Sequence, residues 1–362
     1  MRHKKIDEQE VYNMYQLHFH NPIPVHFIGI GGISMSGLAE ILLKENFPIS
    51  GSDSRKTELT AHLESLGATV RIGQRASNIT DDIELVVYTA AIHEDNPEFA
   101  CARQKGLPML TRAELLGQIM RNYDTPIAIS GTHGKTTTTS MVSHILLEGD
   151  CDPTISVGGI LPAIHGNIRV GNSETFITEA CEYTNSFLSF FPKISVILNM
   201  DADHLDFFKD LEDVEHSFRA FADRVPESGI IVANADDANT MHTLEGEERP
   251  VLTFGLEQGD IHAADLTYEK GVGSFDLIYR GENLGRITLR VPGVHNVRNA
   301  LAAAGAALQL RGPFAAIQEG LHAFTGAGRR FERKGEYHGA VLYDDYAHHP
   351  GELRALLSTV KT

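Results

Sequence analysis

The sequence predicts an α/β fold of three parts, two domains with mostly parallel sheets and the beginning of a third. Three observations carry that expectation. Apolar, partly β-branched runs of strand length alternate with segments whose apolar residues recur at helical spacing, as βαβ units require. Glycine-rich turns stand at two strand-to-helix junctions, residues 29–37 and 131–134. The alternation starts afresh after the polar turn NYDTP at residues 122–126, where the first boundary falls.

In chain order, residues 25–30 (VHFIGI) read as a buried strand and 33–43 as the helix behind it. A second strand ends at 49–53, residues 59–66 are helical, and 69–72 and 85–88 are short strands. The second series opens with a strand at 126–129 and continues, past the glycine turn, with helical spacing over 141–147. Strands at 175–178, 194–198 and 230–232, with a helix at 214–225, extend it into a second sheet. Between 251 and 291 the period shortens to strands such as 275–279 and 286–289 between glycine-containing turns, which predicts a small antiparallel patch. A helix returns at 295–310, the small-residue break TGAG at 325–328 marks a second boundary, and 341–343 starts a new strand. The expected domains are residues 1–124, 125–325 and 326–362.

Composition narrows the function. At 362 residues the chain exceeds what one core usually supports, about 250–300 residues. The net charge of −17, from 31 Lys and Arg against 48 Asp and Glu, argues against a basic nucleic-acid or membrane-binding face, so anionic ligands must be held by local groups. Cys101, Cys151 and Cys181 are widely spaced and make neither a disulfide framework nor a C-x-x-C knuckle, which suits reduced thiols in a cytoplasm. The N-terminal residues mix basic and acidic groups without an apolar h-region, so no signal peptide is expected, and the apolar stretch near 301–310 is about half a membrane span.

The run SGTHGKTTTT at 130–139 reads as a phosphate-binding loop between strand and helix. Gly131 and Gly134 let backbone N–H groups turn toward phosphate oxygens, with Thr132, His133 and Thr137 beside them. Lys135 can neutralise the β- and γ-phosphates of ATP, and the Thr136 hydroxyl can ligate Mg²⁺. Ile129 stands where the longer G-x-x-x-x-G-K-[ST] pattern has its first glycine, so the loop is the shorter G-x-x-G-K-T. The bland alternative is an ordinary Gly/Thr-rich turn.

Four further groups stand at strand or helix ends. Gly29, Gly31, Gly32, Ser34, Met35, Ser36 and Gly37 form a turn where dinucleotide folds place a pyrophosphate, with Ser34 in place of the last fingerprint glycine. With Asp53 at the end of the next strand, this turn is compatible with NAD(P), with another nucleotide diphosphate, or with no ligand at all. Glu179 and His204, beside Asp201, Asp203 and Asp206, lie where parallel strands converge on a crevice and can serve Mg²⁺, or else are solvated loop charges. Asn296 and Asn299, after His295, share a helix face that can read an adenine edge or cap the helix. Arg329 and Arg330 can reach a transferring phosphoryl group or remain on the surface, and Asp345 and His348 end the last strand.

Taken together, these motifs resemble those of the Mur ligases, from about Val25 to the end of the chain. The short loop G-T-[HN]-G-K-[ST] is that family's form, and His133 with its threonine run is the version of the alanine-adding members. G-I-G-G-x-x-M-S-G followed by G-S-D matches residues 29–37 and 51–53. The resemblance implies a Rossmann-like first domain that binds the UDP of a UDP-sugar through residues 29–37, Asp53 and His348. It implies a P-loop-type second domain binding ATP through residues 131–137, His295, Asn296, Asn299 and Asp345, and a third, again Rossmann-like, domain that begins at 326. Lys135, Glu179, His204 and Arg330 would be catalytic, with Thr136, Glu179 and His204 at Mg²⁺. The implied reaction joins L-alanine to the lactyl carboxylate of UDP-N-acetylmuramate through an acyl phosphate. No nucleic acid and no membrane insertion are expected. The recycled-tripeptide ligases share the loop and are the near alternative; an NAD(P) oxidoreductase or an inactive UDP-sugar-binding fragment are the distant ones.

Three features depart from the family pattern. Residues 216–223 hold no lysine of the kind several relatives carbamylate, as is usual in alanine-adding members, and Cys181 stands where many of them have aspartate. The family also continues through a third domain of ordinary size, about 100–150 residues, whereas this sequence stops at Thr362. On that ground the expectation for these residues alone is binding of the UDP-sugar, with or without ATP, and poor or no ligation.

Overall fold

The computed structural model describes residues 15–348 and 350–360; the polar lead-in at 1–14 and His349 lie outside the described residues. The chain divides into two compact units, Met1–Asn122 and Tyr123–Thr362.

The first unit is built on five parallel strands. They are β1 (Val25–Ile28), β2 (Ile49–Asp53), β3 (Thr69–Ile72), β4 (Leu85–Tyr88) and β5 (Met109–Thr111). Helices α1 (Ile33–Lys44), α2 (Glu58–Ser65), α3 (Pro97–Gln104) and α4 (Arg112–Met120) connect or follow them. Local chemistry fixes the helix starts: Thr57 and Thr111 close capping boxes, and Asn96 caps α3 with Pro97 in its first turn. The order β3-β2-β1-β4-β5 reverses direction between β1 and β4. That reversal opens a crevice at the carboxyl end of β1, where residues 29–32 lead into α1. Beneath the sheet edge Glu98 is sealed from solvent, accepting from Ser52 Oγ at 2.5 Å and from the Asn78 amide, with His26 Nε2 at 3.6 Å. Burial pushes the Glu98 carboxyl up, but those hydrogen bonds outweigh it and hold it below the usual range.

The second unit carries a ten-stranded sheet in the order β15-β14-β13-β12-β11-β10-β6-β9-β7-β8. Its members are β6 (Thr125–Ser130), β7 (Thr154–Leu161), β8 (Gly166–Arg169), β9 (Thr175–Ala180), β10 (Ile194–Ile197), β11 (Ile230–Asn234), β12 (Val251–Gly255), β13 (Ile261–Glu269), β14 (Val272–Tyr279) and β15 (Glu282–Pro292). Helices α5 (Lys135–Glu148), α6 (Leu211–Ala222), α7 (Ala238–Thr243), α8 (Val294–Gln309) and α9 (Phe314–Ala323) pack around it. A hairpin, β16 (Glu332–Tyr337) and β17 (Ala340–Asp344), and helix α10 (Pro350–Val360) end the chain. From β7 across to β13 neighbouring strands run parallel; β13–β15 form an antiparallel meander that continues the same sheet. The stretch expected to be an antiparallel patch from 251 therefore splits, because β12 joins the parallel series and only β13 onward turns back. The strand expected at 341–343 is β17, paired antiparallel with the charged β16.

Small residues set the closest contacts. The run of alanines in α8 is buried, and a methyl on Gly305 would meet Val232 Cγ1 at 2.9 Å. At Gly320, α9 crosses α5 so closely that a Cβ would lie 2.6 Å from the Ile145 backbone nitrogen. Gly320→Ala should therefore destabilise the unit by about 1–3 kcal/mol despite alanine's better helix propensity. Thermal unfolding followed by circular dichroism checks this, and an unchanged midpoint removes the close-approach argument.

Candidate active site

The strand β6 lies between β10 and β9, with Ile129 opposite Glu179 and Ser130 opposite both Ala180 and Ile197. Three carboxyl ends thus meet at one edge. Gly131 (φ +139°) and Gly134 (φ +86°) hold backbone that side chains rarely adopt, and a Cβ on Gly134 would strike Asn299 Oδ1 at 2.7 Å. Asn199, just past β10, splints the loop: His133 N donates to its Oδ1 at 2.8 Å, its Nδ2 donates to His133 O at 3.1 Å, and Thr132 N donates to its carbonyl at 3.1 Å. Helix α5 starts with no side-chain cap and no acid in its first turn, so its N–H groups are open to an anion. Thr137, in that turn, is half-buried.

Lys135 Nζ donates to Gly131 O at 2.5 Å and Thr132 O at 3.2 Å, and to both Glu182 oxygens at 2.9 and 3.1 Å. Thr136 Oγ1 donates to Glu179 Oε2 at 3.0 Å, and the Gly158 N–H donates to Glu179 Oε1. Burial pushes the Glu179 carboxyl above its usual range, opposed by the Gly158 and Thr136 hydrogen bonds and by the charges of Lys135 and Arg330. His204, at φ +53°, has Glu182 Oε1 3.8 Å from its Nε2 and its ring lies tilted against Tyr183 with centroids 4.6 Å apart. His133 Nε2 lies 3.2 Å from Asp201 Oδ2.

Among the described residues no group of three or more His, Cys, Asp or Glu could hold a metal by itself. Thr136 and Glu179 nevertheless make a hard-oxygen pair beside the loop. That fits Mg²⁺, which takes one or two protein oxygens and completes its shell with phosphate and water. The histidine is the weaker member of the expected metal set, since imidazole suits softer ions.

At the head of α8, burial lowers the His295 imidazole, with the nearby Asp345 charge opposing it. Asn296 and Asn299 are buried; Asn296 Nδ2 donates to Pro292 O at 2.7 Å and Asn299 Nδ2 to Asn296 Oδ1 at 3.3 Å. Gly328 N donates to Ile160 O at 3.1 Å, which carries the segment with Arg329 and Arg330 against β7. Both guanidiniums lie over the Tyr346 ring, at 4.8 and 5.5 Å. Asp345 accepts from Phe331 N at 2.7 Å and Ala347 N at 2.8 Å, while His348 is exposed.

In the first unit Gly31 N donates to Asp53 Oδ2 at 2.9 Å, and a Cβ on Gly31 would collide with that oxygen. Gly29 N donates to Ser52 O at 2.9 Å. Gly32 and Ser34 are exposed, whereas Met35, Ser36 and Gly37 point into the core of α1. Asp53 thus spends one oxygen on holding the turn.

Sequence reasoning missed Glu182, Asn199 and Gly158. Glu182 had a weak signal, two acids three apart after a strand; the other two act through contacts distant in sequence. Burial and the Glu182 charge raise the half-buried Cys181 thiol, which disfavours its reactive thiolate form.

The Mur ligase middle domain matches residues 129–307, the Mur ligase family catalytic domain residues 24–124, and the Mur ligase glutamate ligase domain residues 329–362. The chain is 55% identical to the UDP-N-acetylmuramate–L-alanine ligase of Lachnospira eligens over 96% of its own length and 76% of that relative's. It belongs to the Mur ligase family. Among solved structures of Mur ligases, it is similar to the UDP-N-acetylmuramate-alanine ligase of Thermotoga maritima, at TM-score 0.77 and 32% identity, covering 94% of this chain and 77% of that one. It is also similar to the UDP-N-acetylmuramate:L-alanyl-gamma-D-glutamyl-meso-diaminopimelate ligase of Neisseria meningitides, at TM-score 0.76 and 29% identity, covering 85% of this chain and all (100%) of that one.

Because the folded-state pKa of Glu179 is raised, its ionised form carries a penalty that is present above that pKa and fades as pH falls through it. Glu179→Gln should therefore raise the thermal midpoint of this Mur ligase without nucleotide, by about 2–4 °C for each kcal/mol relieved. The gain should be largest at pH 8 and shrink in acid. A lower midpoint at pH 8 would show that the carboxylate's hydrogen bonds outweigh its burial.

Proposed function

We propose that this Mur ligase joins L-alanine to the lactyl carboxylate of UDP-N-acetylmuramate at the expense of ATP, in peptidoglycan precursor synthesis. The observation that carries the reading is the Lys135–Thr136 loop, open at the head of α5, in a chain 55% identical to an enzyme of that name. Lys135 and the N–H groups of residues 131–137 hold the β- and γ-phosphates. Thr136 and Glu179 hold Mg²⁺, which when bound supplies charge neutralisation across the phosphates. His204 stands beside them, its Nε2 3.8 Å from the second carboxylate, Glu182. His295, Asn296 and Asn299 flank the adenine, with Asp345 on the nucleotide and His348 on the substrate. In the first unit, the exposed turn at Gly32 and Ser34 and the start of α1, which has no side-chain cap, take the pyrophosphate of UDP.

The substrate carboxylate attacks the γ-phosphorus in line, ADP leaves, and the alanine amine displaces phosphate from the acyl phosphate to form the amide. Arg330, whose charge already reaches Glu179, neutralises the transferring phosphoryl group. Positioning and charge carry the barrier reduction, and no protein nucleophile takes part. ATP, a nucleotide sugar and three free cysteines suit the cytoplasm.

Amide formation with UDP-N-acetylmuramate and ATP, followed by mass spectrometry, tests the reading through the ratio of products. L-alanine should be favoured over the L-alanyl-γ-D-glutamyl-diaminopimelate tripeptide, and Lys135→Ala should lower the rate about 10²–10³-fold. Preference for the tripeptide would reassign the chain to the ligase that recycles it.

A further inference from the structure

The ammonium of Lys135 has three N–H donors and four acceptors around it: Gly131 O, Thr132 O and both oxygens of Glu182. All of its hydrogen-bonding capacity is therefore committed, and a phosphate oxygen can be received only by exchange. The two carbonyls belong to a loop fixed by Asn199 and by the left-handed turn at Gly131. Glu182 is the partner that can be exchanged.

Glu182 is built into its position. Its side chain is 3% exposed against 16% for Lys135, and the imidazole Nε2 of His204 lies 3.8 Å away, beyond hydrogen-bond reach. The turn that follows is held by Asn185 N to Glu182 O at 2.9 Å and Phe187 N to Cys181 O at 3.1 Å. Thr184 and Asn185 both take positive φ there, 54° and 58°, a conformation that side-chain-bearing residues adopt sparingly. Phe187 anchors the turn, stacked on Phe221 at 4.5 Å. Strain kept by a well-packed neighbourhood beside a ligand loop is a mark of function rather than accident.

We propose that Glu182 is the resident counter-ion of Lys135, a positioning residue that holds the ammonium in place of phosphate in the nucleotide-free enzyme and yields it when ATP arrives. The proposal rests on the reading that Lys135 receives the phosphates of ATP. An enclosed carboxylate that loses its cation is costly, so the exchange opposes nucleotide binding while the pair stabilises the empty loop. Glu182 thereby sets the affinity for ATP downward and keeps the loop ordered between turnovers.

Calorimetric titration with Mg²⁺ and a non-hydrolysable ATP analogue tests this, alongside thermal midpoints of the empty proteins. Glu182→Gln should bind the analogue about three- to tenfold more tightly, with a lower midpoint in its absence and a lower KM for ATP than wild type. Glu182→Asp keeps the charge but loses reach, so it should tighten binding too, and it provides a second test if the glutamine variant folds poorly. Unchanged or weaker binding by both variants overturns the proposal. So does tightening by glutamine alone, which would mark a long-range charge effect instead of a contact. Equal binding by wild type and Lys135→Ala would instead sink the underlying assignment of Lys135 to the phosphates.

Discussion

The second unit is organised around one cation. Lys135 leaves the first position of α5 at a point where the parallel register of β9, β6 and β10 brings three carboxyl ends to one edge. Everything the site contains is arranged in relation to that charge. Glu182 pairs with it, Glu179 accepts from the next residue, Thr136, and Asn199 splints the loop through His133. A parallel sheet suits the purpose, because each strand delivers its following loop to the same edge and each helix returns with its N-terminus toward it.

A protein of net charge −17 must bind polyanions without a basic surface. Under the proposed function the two units would do so by different means. In the second, α5 has no acid in its first turn and contributes a lysine with its partial dipole charge. In the first, no such cation heads α1, and Asp53 is tied to Gly31 N as part of the turn. Under the proposed function, anion binding there falls to the backbone at a topological switch point, where a glycine-rich turn need not match the fingerprint of a dinucleotide enzyme.

What could be read from sequence was what local physics determines. Gly29, Gly31, Gly131 and Gly134 are fixed by backbone angle or close approach, and Gly-Lys-Thr before a helix carries its chemistry within a few residues. Buried parallel strands such as β1 and β6 show as apolar runs. The antiparallel β16, ERKGEY, offers no alternation of apolar residues, and β7 is interrupted by Gly158 and Gly159, so neither stood out. Asn199 and His133 are 66 residues apart in the chain and Lys135 and Glu182 are 47 apart. Nothing in either local segment announces such a pairing; it exists only once the sheet has set the strand order.

The same arrangement explains why the site is not the most stable one these residues could form. Glu179 is kept ionisable where burial disfavours its charge, and Thr184 and Asn185 hold strained backbone next to Glu182. Under the proposed function, Mg²⁺ would offset the cost of the Glu179 charge, and Glu182 would neutralise Lys135 while the loop is empty. The costs are met by the core around α8 and by the aromatic packing of Phe187 on Phe221, which fix the surrounding backbone tightly enough to keep these groups in place. Stability is thus concentrated away from the loop, and the least favourable electrostatics are placed where a bound nucleotide and its metal would relieve them.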